Sequence, residues 1–410
     1  MIFSSHCRGC EAALPEPFLD LGSTPLANAY VKPEDAERPD PTFPLAVAYC
    51  ASCHLVQLTT TVPPQDLFSH YLYFSSYSDT FLIHAERMAG ELAARYGLGS
   101  KSRVLEVASN DGYLLQFFKA RGIQVLGVEP AKNIAEVAIA KGIPTLPMFF
   151  GSGAAARVLR EFGEVDVLIG NNVLAHVPDI TSFLREAAAC LNGNGVAVFE
   201  FPYLGDLIDE LAFDTIYHEH VFYFSLAAVL ELATRTGLRV VDVSRQAVHG
   251  GSLRVFLQKV PSQPADSVAA LLEDERSRGL LSAAPYSAFS KRVDSLKSDL
   301  LARLRKAKAD GKRTAAYGAP AKGNTLLNYC GIGTDLIDFT VDRSPHKQGL
   351  LLPGSRLPIL SPEELLRRRP NITLILPWNI AAEIVGQQQE YLRTGGRFLV
   401  PVPSPHEVGL

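Results

Sequence analysis

The sequence predicts an α/β protein in which two Rossmann-like domains follow a small N-terminal metal-binding module. From about residue 80, short apolar runs alternate with helical segments, the order typical of a mostly parallel sheet with helices on both faces. The same alternation begins again after a charged helical stretch that ends near residue 310. The N-terminal stretch lacks this alternation and carries two Cys-x-x-Cys pairs. We therefore predict three parts, residues 1–79, 80–262 and 263–410.

The predicted elements follow these parts in order. Up to about residue 80, prolines are frequent and helical spacing is not sustained, which indicates a loop-rich module with little core of its own. The middle part begins with an amphipathic helix, Thr80 to Tyr96. Its strands are predicted at Arg103–Val107, Gln124–Val128, Val165–Ile169 and Gly195–Phe201, with helices at Leu114–Ala120, Ile134–Lys141 and Ile180–Cys190. A charged helical connector with a solvated face, 267–310, precedes strands at Arg313–Tyr317, Leu336–Val341, Ile372–Leu376 and Arg397–Val400.

Composition excludes several classes of protein. A chain of 410 residues with 47% hydrophobic and 20% charged residues is too long for a single small binding module and has enough apolar surface to fold. Its net charge is −4 and it has no dense basic run, so we expect no nucleic acid partner. No apolar run matches a signal-peptide core or a membrane span, so we expect a cytoplasmic protein without a membrane partner. The sequence assigns no oligomeric state.

The two cysteine pairs predict a structural zinc site. Cys7 and Cys10 form one Cys-x-x-Cys knuckle and Cys50 and Cys53 form the other, a spacing that directs four thiolates at one tetrahedral ion. Closing the loop between the pairs costs roughly 3 kcal/mol of chain entropy. A structural zinc ion returns about 10–16 kcal/mol in small peptides. Four cysteines also saturate the metal, so a catalytic role for the ion is not expected.

A small-residue turn after the first strand of the middle part predicts a cofactor loop. The strand ending at Val107 runs into Ala108-Ser109-Asn110-Asp111-Gly112, and the next strand ends in Glu129, where a carboxylate can accept hydrogen bonds from ribose hydroxyls. A loop with only one glycine is poorly suited to bind a pyrophosphate, so S-adenosylmethionine is preferred over NAD as the cofactor. An ordinary turn that binds no ligand remains an alternative. The predicted contacts are Glu106, Ala108, Ser109, Asn110, Asp111, Gly112 and Glu129, together with Asn171 and Asn172 after the third strand.

A second cluster gathers titratable side chains. Two histidines, one glutamate and two tyrosines lie within seven residues, Tyr217 to Tyr223, a density that burial alone does not select. The two histidines are not spaced as in the His-Glu-x-x-His motif, so a zinc protease is not favoured. A chance polar loop remains an alternative. His176, which follows the third strand, is equally consistent with an acceptor contact and with a structural hydrogen bond.

These motifs together resemble the three-domain sugar C-methyltransferases, which methylate thymidine-diphosphate-linked 4-keto-deoxysugars. The resemblance covers nearly the whole chain and rests on the cysteine pairs and on 71–76 (YLYFSS), 109–115 (SNDGYLL), 172–176 (NVLAH), 217–220 (YHEH), 249–254 (HGGSLR) and 317–324 (YGAPAKGN). It implies an N-terminal zinc module, a class I methyltransferase domain that binds S-adenosylmethionine, and a C-terminal α/β domain that holds the nucleotide of a nucleotide-linked sugar. The chain departs from the family at Ala108, where relatives usually have glycine, and the added methyl group limits how closely the backbone approaches the cofactor.

The chemistry of such a sugar assigns roles to the clustered residues. The hydrogen on C-3 of a 4-ketosugar is acidified by the carbonyl, and His220 is the expected general base because histidine titrates near neutral pH. Tyr217 and His176, with His249 as a further candidate, would stabilise the enolate, and Glu219 would orient the sugar or the neighbouring imidazole. The turn after 314–317 precedes a helix with a lysine in its first turn, which suits a diphosphate. The predicted substrate contacts are Tyr71, Tyr73, His249, Arg254, Lys322, Asn324, Asp342, Arg343 and Asn379.

Three other functions stay open on the sequence. A sugar O-methyltransferase also needs a base beside the methyl donor. A zinc-ribbon RNA methyltransferase is disfavoured by the acidic balance, and a non-catalytic nucleotide-sugar-binding protein is disfavoured by the histidine cluster and the cofactor loop.

Overall fold

The computed structural model describes residues 2–63, 67, 75–77, 79–246, 251–260 and 263–410. Within these ranges the chain forms four sheets, and two of them are large. No helix in the described ranges is both long and apolar enough to cross a membrane.

The N-terminal part is built on antiparallel strands. Its strands are β1 (Ile2–Phe3), β2 (Leu19–Pro25), β3 (Thr42–Tyr49), β4 (Val56–Leu58) and β5 (Thr60–Thr61), with a 3-10 turn at Pro33–Asp35. Strands β2, β3 and β4 form a sheet with β11 (Phe222–Tyr223), which comes from the middle part, while β1 pairs with β5. The module is loop-rich as expected, and the buried side chains of β3, Leu45, Val47 and Tyr49, belong to an apolar cluster shared with the middle and C-terminal parts instead of a core of their own. Pro44 lies inside β3, and because proline is uncommon within strands, the sequence pattern did not predict this strand.

The middle part is a seven-stranded sheet in the order β12-β13-β10-β9-β6-β7-β8. Only β13 runs antiparallel to its two neighbours; the other pairings are parallel. The strands are β6 (Arg103–Val107), β7 (Gln124–Val128), β8 (Thr145–Leu146), β9 (Val165–Asn171), β10 (Leu191–Pro202), β12 (Arg239–Gln246) and β13 (Ser252–Gln258). Chain order reverses between β6 and β9, and a crevice at the carboxyl ends of such strands is where open α/β sheets bind ligands.

Helices cover both faces of this sheet. They are α1 (Asp79–Arg95), α2 (Leu115–Ala120), α3 (Lys132–Ala140), α4 (Ala154–Glu161), α5 (Ile180–Cys190), α6 (Leu204–Asp209) and α7 (Leu226–Arg235), with 3-10 turns at Ser75–Tyr77, Leu174–His176 and Phe213–Thr215. Side-chain caps start two of them: Asp179 accepts a hydrogen bond from the backbone of Ser182, and Ser225 accepts one from Ala228. The buried faces of these helices enclose the sheet in apolar residues.

The predicted charged connector is two helices, α8 (Asp266–Ser277) and α9 (Ala284–Ala309). Gly279 lies between them with a φ of +74°, a conformation that ends helices readily. One face of α9 is not solvated, because it buries a row of large side chains against the N-terminal and C-terminal parts: Tyr286, Phe289, Val293, Leu296, Leu300 and Leu304. The prediction of a solvated face holds only for its other side.

The C-terminal part is a six-stranded sheet in the order β16-β15-β14-β17-β18-β19. The strands are β14 (Thr314–Tyr317), β15 (Thr340–Val341), β16 (Ile359–Leu360), β17 (Ile372–Ile375), β18 (Arg397–Val400) and β19 (His406–Val408), all parallel except β19. Its helices are α10 (Ala321–Cys330), α11 (Glu364–Arg368), α12 (Ala381–Gln387) and α13 (Gln389–Arg393), with a 3-10 turn at Trp378–Ile380. Chain order reverses between β14 and β17, which makes the turn after β14 a second candidate ligand site.

Candidate active site

The four predicted zinc ligands converge on one point. The Sγ atoms of Cys7, Cys10, Cys50 and Cys53 all lie within 4.8 Å of one another. Cys7 and Cys53 are 3.5 Å apart at sulfur, and so are Cys10 and Cys50. Four thiolates at about 2.3 Å from a tetrahedral zinc ion require sulfur separations in this range. The donor set therefore fits zinc.

Gln57 connects this thiol cluster to the sheet beside it. Its side-chain amide donates to Cys7 Sγ at 3.0 Å, and its carbonyl oxygen accepts from the backbone N–H of Arg8 at 3.0 Å. Gln57 is also the residue of β4 that pairs with Phe222 of β11. The thiol cluster is thus held against the strand that follows the histidine cluster.

The cofactor loop adopts an unusual backbone. Ala108 and Asn110 have φ values of +55° and +49°, and Gly112 has +78°. Only glycine takes this left-handed region without cost. The alanine therefore occupies a position that favours glycine for its backbone conformation as well as for ligand approach. Glycine is required at position 112 for a second reason besides its φ, because a Cβ there would lie 2.8 Å from Cγ1 of Ile143.

Glu129 secures the same loop from the neighbouring strand. Its carboxylate accepts hydrogen bonds from the backbone N–H of Asn110 at 3.0 Å and of Ala131 at 2.9 Å. Burial raises the pKa of Glu129, while these two N–H donors oppose that shift. Each oxygen keeps a lone pair, so the predicted ribose contact is compatible with this arrangement.

Two predicted contacts of the loop, Ser109 and Asp111, have buried side chains. Ser109 is fully buried, and its hydroxyl occupies the space above Gly127 where a Cβ would collide with it. The Asp111 carboxylate is buried in an ion pair with Lys141 at 2.8 Å and accepts a hydrogen bond from Ser76. These residues shape the loop, while Ser109 Oγ and Asp111 Oδ1 are buried without a hydrogen-bond partner among the described residues.

Unsatisfied acceptors lie beside the loop. Both carboxylate oxygens of Glu106 and the amide oxygen of Asn171 are buried without a hydrogen-bond partner among the described residues. Burial raises the pKa of Glu106 well above its usual range; the Tyr113 phenol lies close enough to oppose that shift, although no hydrogen bond of good geometry joins the two side chains. Buried acceptors without partners are rare in folded proteins. S-adenosylmethionine carries an ammonium group and a sulfonium, and cationic groups of this kind match the orphaned acceptors.

The histidine cluster has a defined tautomer. His220 Nδ1 lies 2.9 Å from the carbonyl oxygen of Thr215, which can only accept a hydrogen bond, so Nδ1 carries the proton. Nε2 of the neutral ring is therefore an acceptor, and it lies 2.9 Å from the hydroxyl of Tyr217, which donates to it. Burial, with His176 as a second cause, lowers the pKa of His220 to about 3. His220 is thus a neutral imidazole with its lone pair directed at Tyr217.

His176 and Glu219 complete the cluster. The ring of His176 packs edge-on to that of His220 with centroids 4.8 Å apart, and burial lowers its pKa to about 4 while a hydrogen bond to the backbone of Glu219 opposes the shift. Burial raises the pKa of the Glu219 carboxyl to about 7, against a hydrogen bond from Asn28. His218 belongs to a different surface, because it faces the carbonyl of Phe43 at 3.2 Å. The structure therefore brings the side chains of His176, Tyr217 and His220 together, and it joins Glu219 to them through the backbone.

Lys322 and Asn379 of the C-terminal part lie together, and Trp378 connects them to the segment that carries the cluster. The Lys322 ammonium donates to the Asn379 side chain and lies 4.6 Å from the ring centre of Trp378. Trp378 Nε1 donates to Asp214 at 2.7 Å, and Asp214 begins the segment that contains the histidine cluster. Burial raises the pKa of Asp214 to about 6, and the charge of Lys322 opposes that shift. Sequence reasoning missed Trp378, although it is the single tryptophan of the chain.

Three other predicted substrate contacts occupy separate places. Asp342 supports the turn after β14 by accepting from the backbone of Ala319 at 2.7 Å. Arg343 is exposed and lines a cleft of about 390 Å³ with Tyr317 and Gln348. Asn324 is buried and donates to the carbonyl of Ala27 at 3.0 Å. Tyr71, Tyr73 and His249 lie outside the described residues.

Arg254 has a different setting from the one predicted. Its guanidinium is 2% exposed and pairs with Glu200 at 2.9 Å and with Glu91 at 3.0 Å. His84 of α1 lies 2.7 Å from the other oxygen of Glu200. Burial works to raise the pKa of Glu200, but His84 and Arg254 outweigh it and lower the pKa. A buried ion pair of this kind leaves Arg254 no open face for a sugar, and its role is to anchor α1 over the sheet.

Family models match the chain in three consecutive stretches. They are described as "Putative zinc binding domain" for residues 7–68, "Methyltransferase domain" for 81–243 and "C-methyltransferase C-terminal domain" for 247–403. C-methyltransferase NovU of Streptomyces niveus is 38% identical over 405 residues, which cover 98% of this chain and 96% of NovU. The chain belongs to the C-methyltransferase family. It is an S-adenosylmethionine-dependent C-methyltransferase with a zinc-binding module, which confirms the predicted fold class, enzyme class and cofactors.

Two other similarities cover only part of this C-methyltransferase. The ubiquinone biosynthesis O-methyltransferase of Rhodopseudomonas palustris (strain HaA2) is 32% identical over 115 residues, 28% of this chain and 43% of that protein. The solved structure of the glycopeptide N-methyltransferase MtfA complexed with S-adenosylmethionine covers 43% of this chain and 94% of its own, at 12% identity and a TM-score of 0.35. Our assignment does not rest on either of them.

Proposed function

We propose that this C-methyltransferase transfers a methyl group to C-3 of a nucleotide-linked 4-keto-deoxysugar, with dTDP as the carrier, through an enolate. The observation that carries the proposal is the pairing of Tyr217 with a neutral His220 beside His176. S-adenosylmethionine supplies the methyl group to the acceptor carbon. The chain itself must remove a proton from C-3, stabilise the charge that forms on the ketone oxygen, and hold the sugar in line.

His220 is suited to accept the proton. Its Nδ1–H is fixed on the Thr215 carbonyl, so the lone pair of Nε2 has one direction. Burial keeps the free imidazole neutral, and neutral imidazole is the form that acts as a base. The pKa is lower than a base poised near neutral pH requires. Negative charge forming on the sugar beside the ring stabilises the imidazolium, and the pKa of His220 then rises as the proton moves.

Tyr217 is suited to stabilise the enolate. Its hydroxyl donates to His220 Nε2 in the free enzyme, so a sugar that approaches Nε2 displaces that hydrogen bond and frees the phenol for the ketone oxygen. His176, as a second neutral imidazole packed against His220, can donate to the same oxygen. Fixed donors aimed at a developing oxyanion are typically worth 10²- to 10³-fold in rate each.

The nucleotide end of the substrate fits the turn after β14. Lys322, in the first turn of α10, brings a cation beside the flat ring of Trp378. A diphosphate suits the ammonium and the helix N-terminus. Because Trp378 also binds Asp214 of the segment that leads to His220, a nucleotide on this surface lies next to the catalytic segment. This arrangement favours a nucleotide-linked sugar over a free sugar.

The test is the exchange of the C-3 hydrogen with deuterium from solvent. With a dTDP-4-keto-deoxysugar and S-adenosylhomocysteine, which cannot methylate, the wild-type enzyme should wash deuterium into C-3, followed by NMR. His220→Asn should slow both this exchange and methyl transfer by about 100-fold or more. His218→Asn is the matched control, because His218 contacts Phe43 and should leave the exchange rate unchanged. Exchange at the wild-type rate in His220→Asn, or methylation of a hydroxyl without exchange, would contradict the proposal.

A further inference from the structure

A short segment of the N-terminal part, Ala27–Tyr30, lies between the catalytic cluster and the C-terminal part. The carbonyl of Ala27 accepts a hydrogen bond from Asn324 of α10 at 3.0 Å. The hydroxyl of Tyr30 donates to the carbonyl of Ala319 at 2.7 Å, in the turn that we propose for the nucleotide. The segment is therefore fixed at both ends by the C-terminal part.

Between these two anchors, Asn28 reaches the catalytic cluster. Its side-chain amide donates to Glu219 Oε1 at 2.7 Å, the short distance expected for a hydrogen bond to a carboxylate. Glu219 is 6% exposed, whereas Asn28 is exposed at the surface. A carboxylate from the middle part is thus held by an amide of the N-terminal part, which is itself held by the C-terminal part. All three parts of the chain meet at this hydrogen bond.

We propose that Asn28 is a positioning residue of the methyltransferase, which holds Glu219 as a carboxylate oriented toward the sugar and ties that orientation to the nucleotide-binding turn. This inference rests on the proposed role of Glu219 in orienting the sugar. Asn28 contributes no proton and contacts no reacting atom. It acts on the reaction through the charge and the direction of the Glu219 side chain.

The surroundings of Glu219 explain why the donor matters. Burial raises the pKa of Glu219 to about 7 even with the Asn28 hydrogen bond in place. His218 and His220 flank Glu219 in sequence and His176 forms a hydrogen bond with its backbone; burial lowers the pKa of all three, so none supplies a positive charge at neutral pH. An N–H donor favours the ionised form of a carboxyl group. Without Asn28, a larger fraction of Glu219 is protonated, and a protonated carboxyl donates where the ionised form accepts.

The first experiment measures the ionisation of Glu219 without substrate. Infrared titration of the full-length enzyme follows the carboxyl band that is present in the wild type and absent in Glu219→Gln. In Asn28→Ala the midpoint of that band should move to higher pH, and in Asn28→Asp, where a second carboxylate replaces the donor, it should move further. Tyr30→Phe keeps the amide but releases the segment from Ala319, so its midpoint should move in the same direction by less than that of Asn28→Ala. An unchanged midpoint in Asn28→Ala overturns the proposal.

The second experiment measures catalysis with S-adenosylmethionine and a dTDP-4-keto-deoxysugar. Asn28→Ala should lower kcat roughly tenfold at pH 7, the loss expected for a hydrogen bond to a charged group, and activity should recover as the pH rises. In the Glu219→Gln background the same substitution should have no further effect. An independent loss in both backgrounds, or a lower melting temperature and zinc content that account for the loss, overturns the proposal. If Glu219→Gln is impaired but Asn28→Ala is fully active, this inference alone is overturned. If the wild-type enzyme does not exchange the C-3 hydrogen, the proposed function is refuted, but the infrared result still stands.

Discussion

Replacing Ala108 by glycine should stabilise the methyltransferase, against the usual effect of an alanine-to-glycine change. Ala108 has a φ of +55°, and this left-handed conformation costs a residue with a Cβ roughly 1–2 kcal/mol. Glycine avoids that cost but loses about 0.4–1 kcal/mol through the greater freedom of its unfolded chain. The difference leaves a net gain of about 0.8 kcal/mol, which corresponds to a rise in melting temperature of about 2–3 °C for a domain of this size.

The assay is a thermal unfolding curve of the middle domain's transition, combined with calorimetric titration of S-adenosylhomocysteine. Affinity should be equal or tighter in Ala108→Gly, because the backbone can approach the ligand more closely. Gly112→Ala is the matched control in the same loop: with a φ of +78° and a Cβ that would meet Ile143, it should destabilise the domain. A lower melting temperature for Ala108→Gly, the ordinary cost of a new glycine, would refute the reasoning.

Three further predictions concern the metal, the cofactor and pH. The purified enzyme should contain one zinc ion per chain, and the Cys50→Ser variant should lose the metal and unfold in the N-terminal part. Metal analysis that finds less than half an equivalent of zinc in the wild type would count against the site. Glu129→Ala should weaken cofactor binding by about 1.5–3 kcal/mol in calorimetry, and unchanged affinity would remove Glu129 from the site. Asp214 has its pKa raised by burial from 3.8 to about 6, so the folded state binds its proton more tightly and loses stability as pH rises between these values. Asp214→Asn can still accept the hydrogen bond from Trp378. Above pH 6 this variant should therefore have a free energy of unfolding higher than that of the wild type by on the order of 3 kcal/mol, and the difference should vanish toward pH 4. A difference that does not depend on pH would contradict this account.

The sequence was sufficient for features that depend on local periodicity. The alternation of apolar runs predicted both parallel sheets, and Val104–Val107 and Val125–Val128 lie inside strands β6 and β7. The Cys-x-x-Cys spacing predicted a thiol cluster that the structure confirms. The small residues of the cofactor loop indicated a tight turn after β6, and its positive φ values agree with that.

The sequence was insufficient where function depends on contacts between distant parts of the chain. The motif around Arg254 predicted a substrate contact, but in the structure its charge is neutralised by Glu200 on the neighbouring strand. Asn28 had no motif at all, and only the folded chain brings it to Glu219. The lowering of the His220 pKa to about 3 could not be predicted from the sequence either, because it is caused by burial, and burial depends on packing that no local pattern encodes.

The strand that completes the N-terminal sheet also bears on how the chain is made. Strand β4 leaves the ribosome early, whereas its partner β11 is synthesised far later, after most of the middle part. Until then β4 is an open edge, the kind of strand that pairs with other chains and seeds aggregation. The N-terminal part therefore cannot finish folding on its own, even with its metal bound. Expression of residues 2–63 as an isolated fragment should give aggregates, and a peptide spanning Phe222–Tyr223 supplied in trans should reduce them.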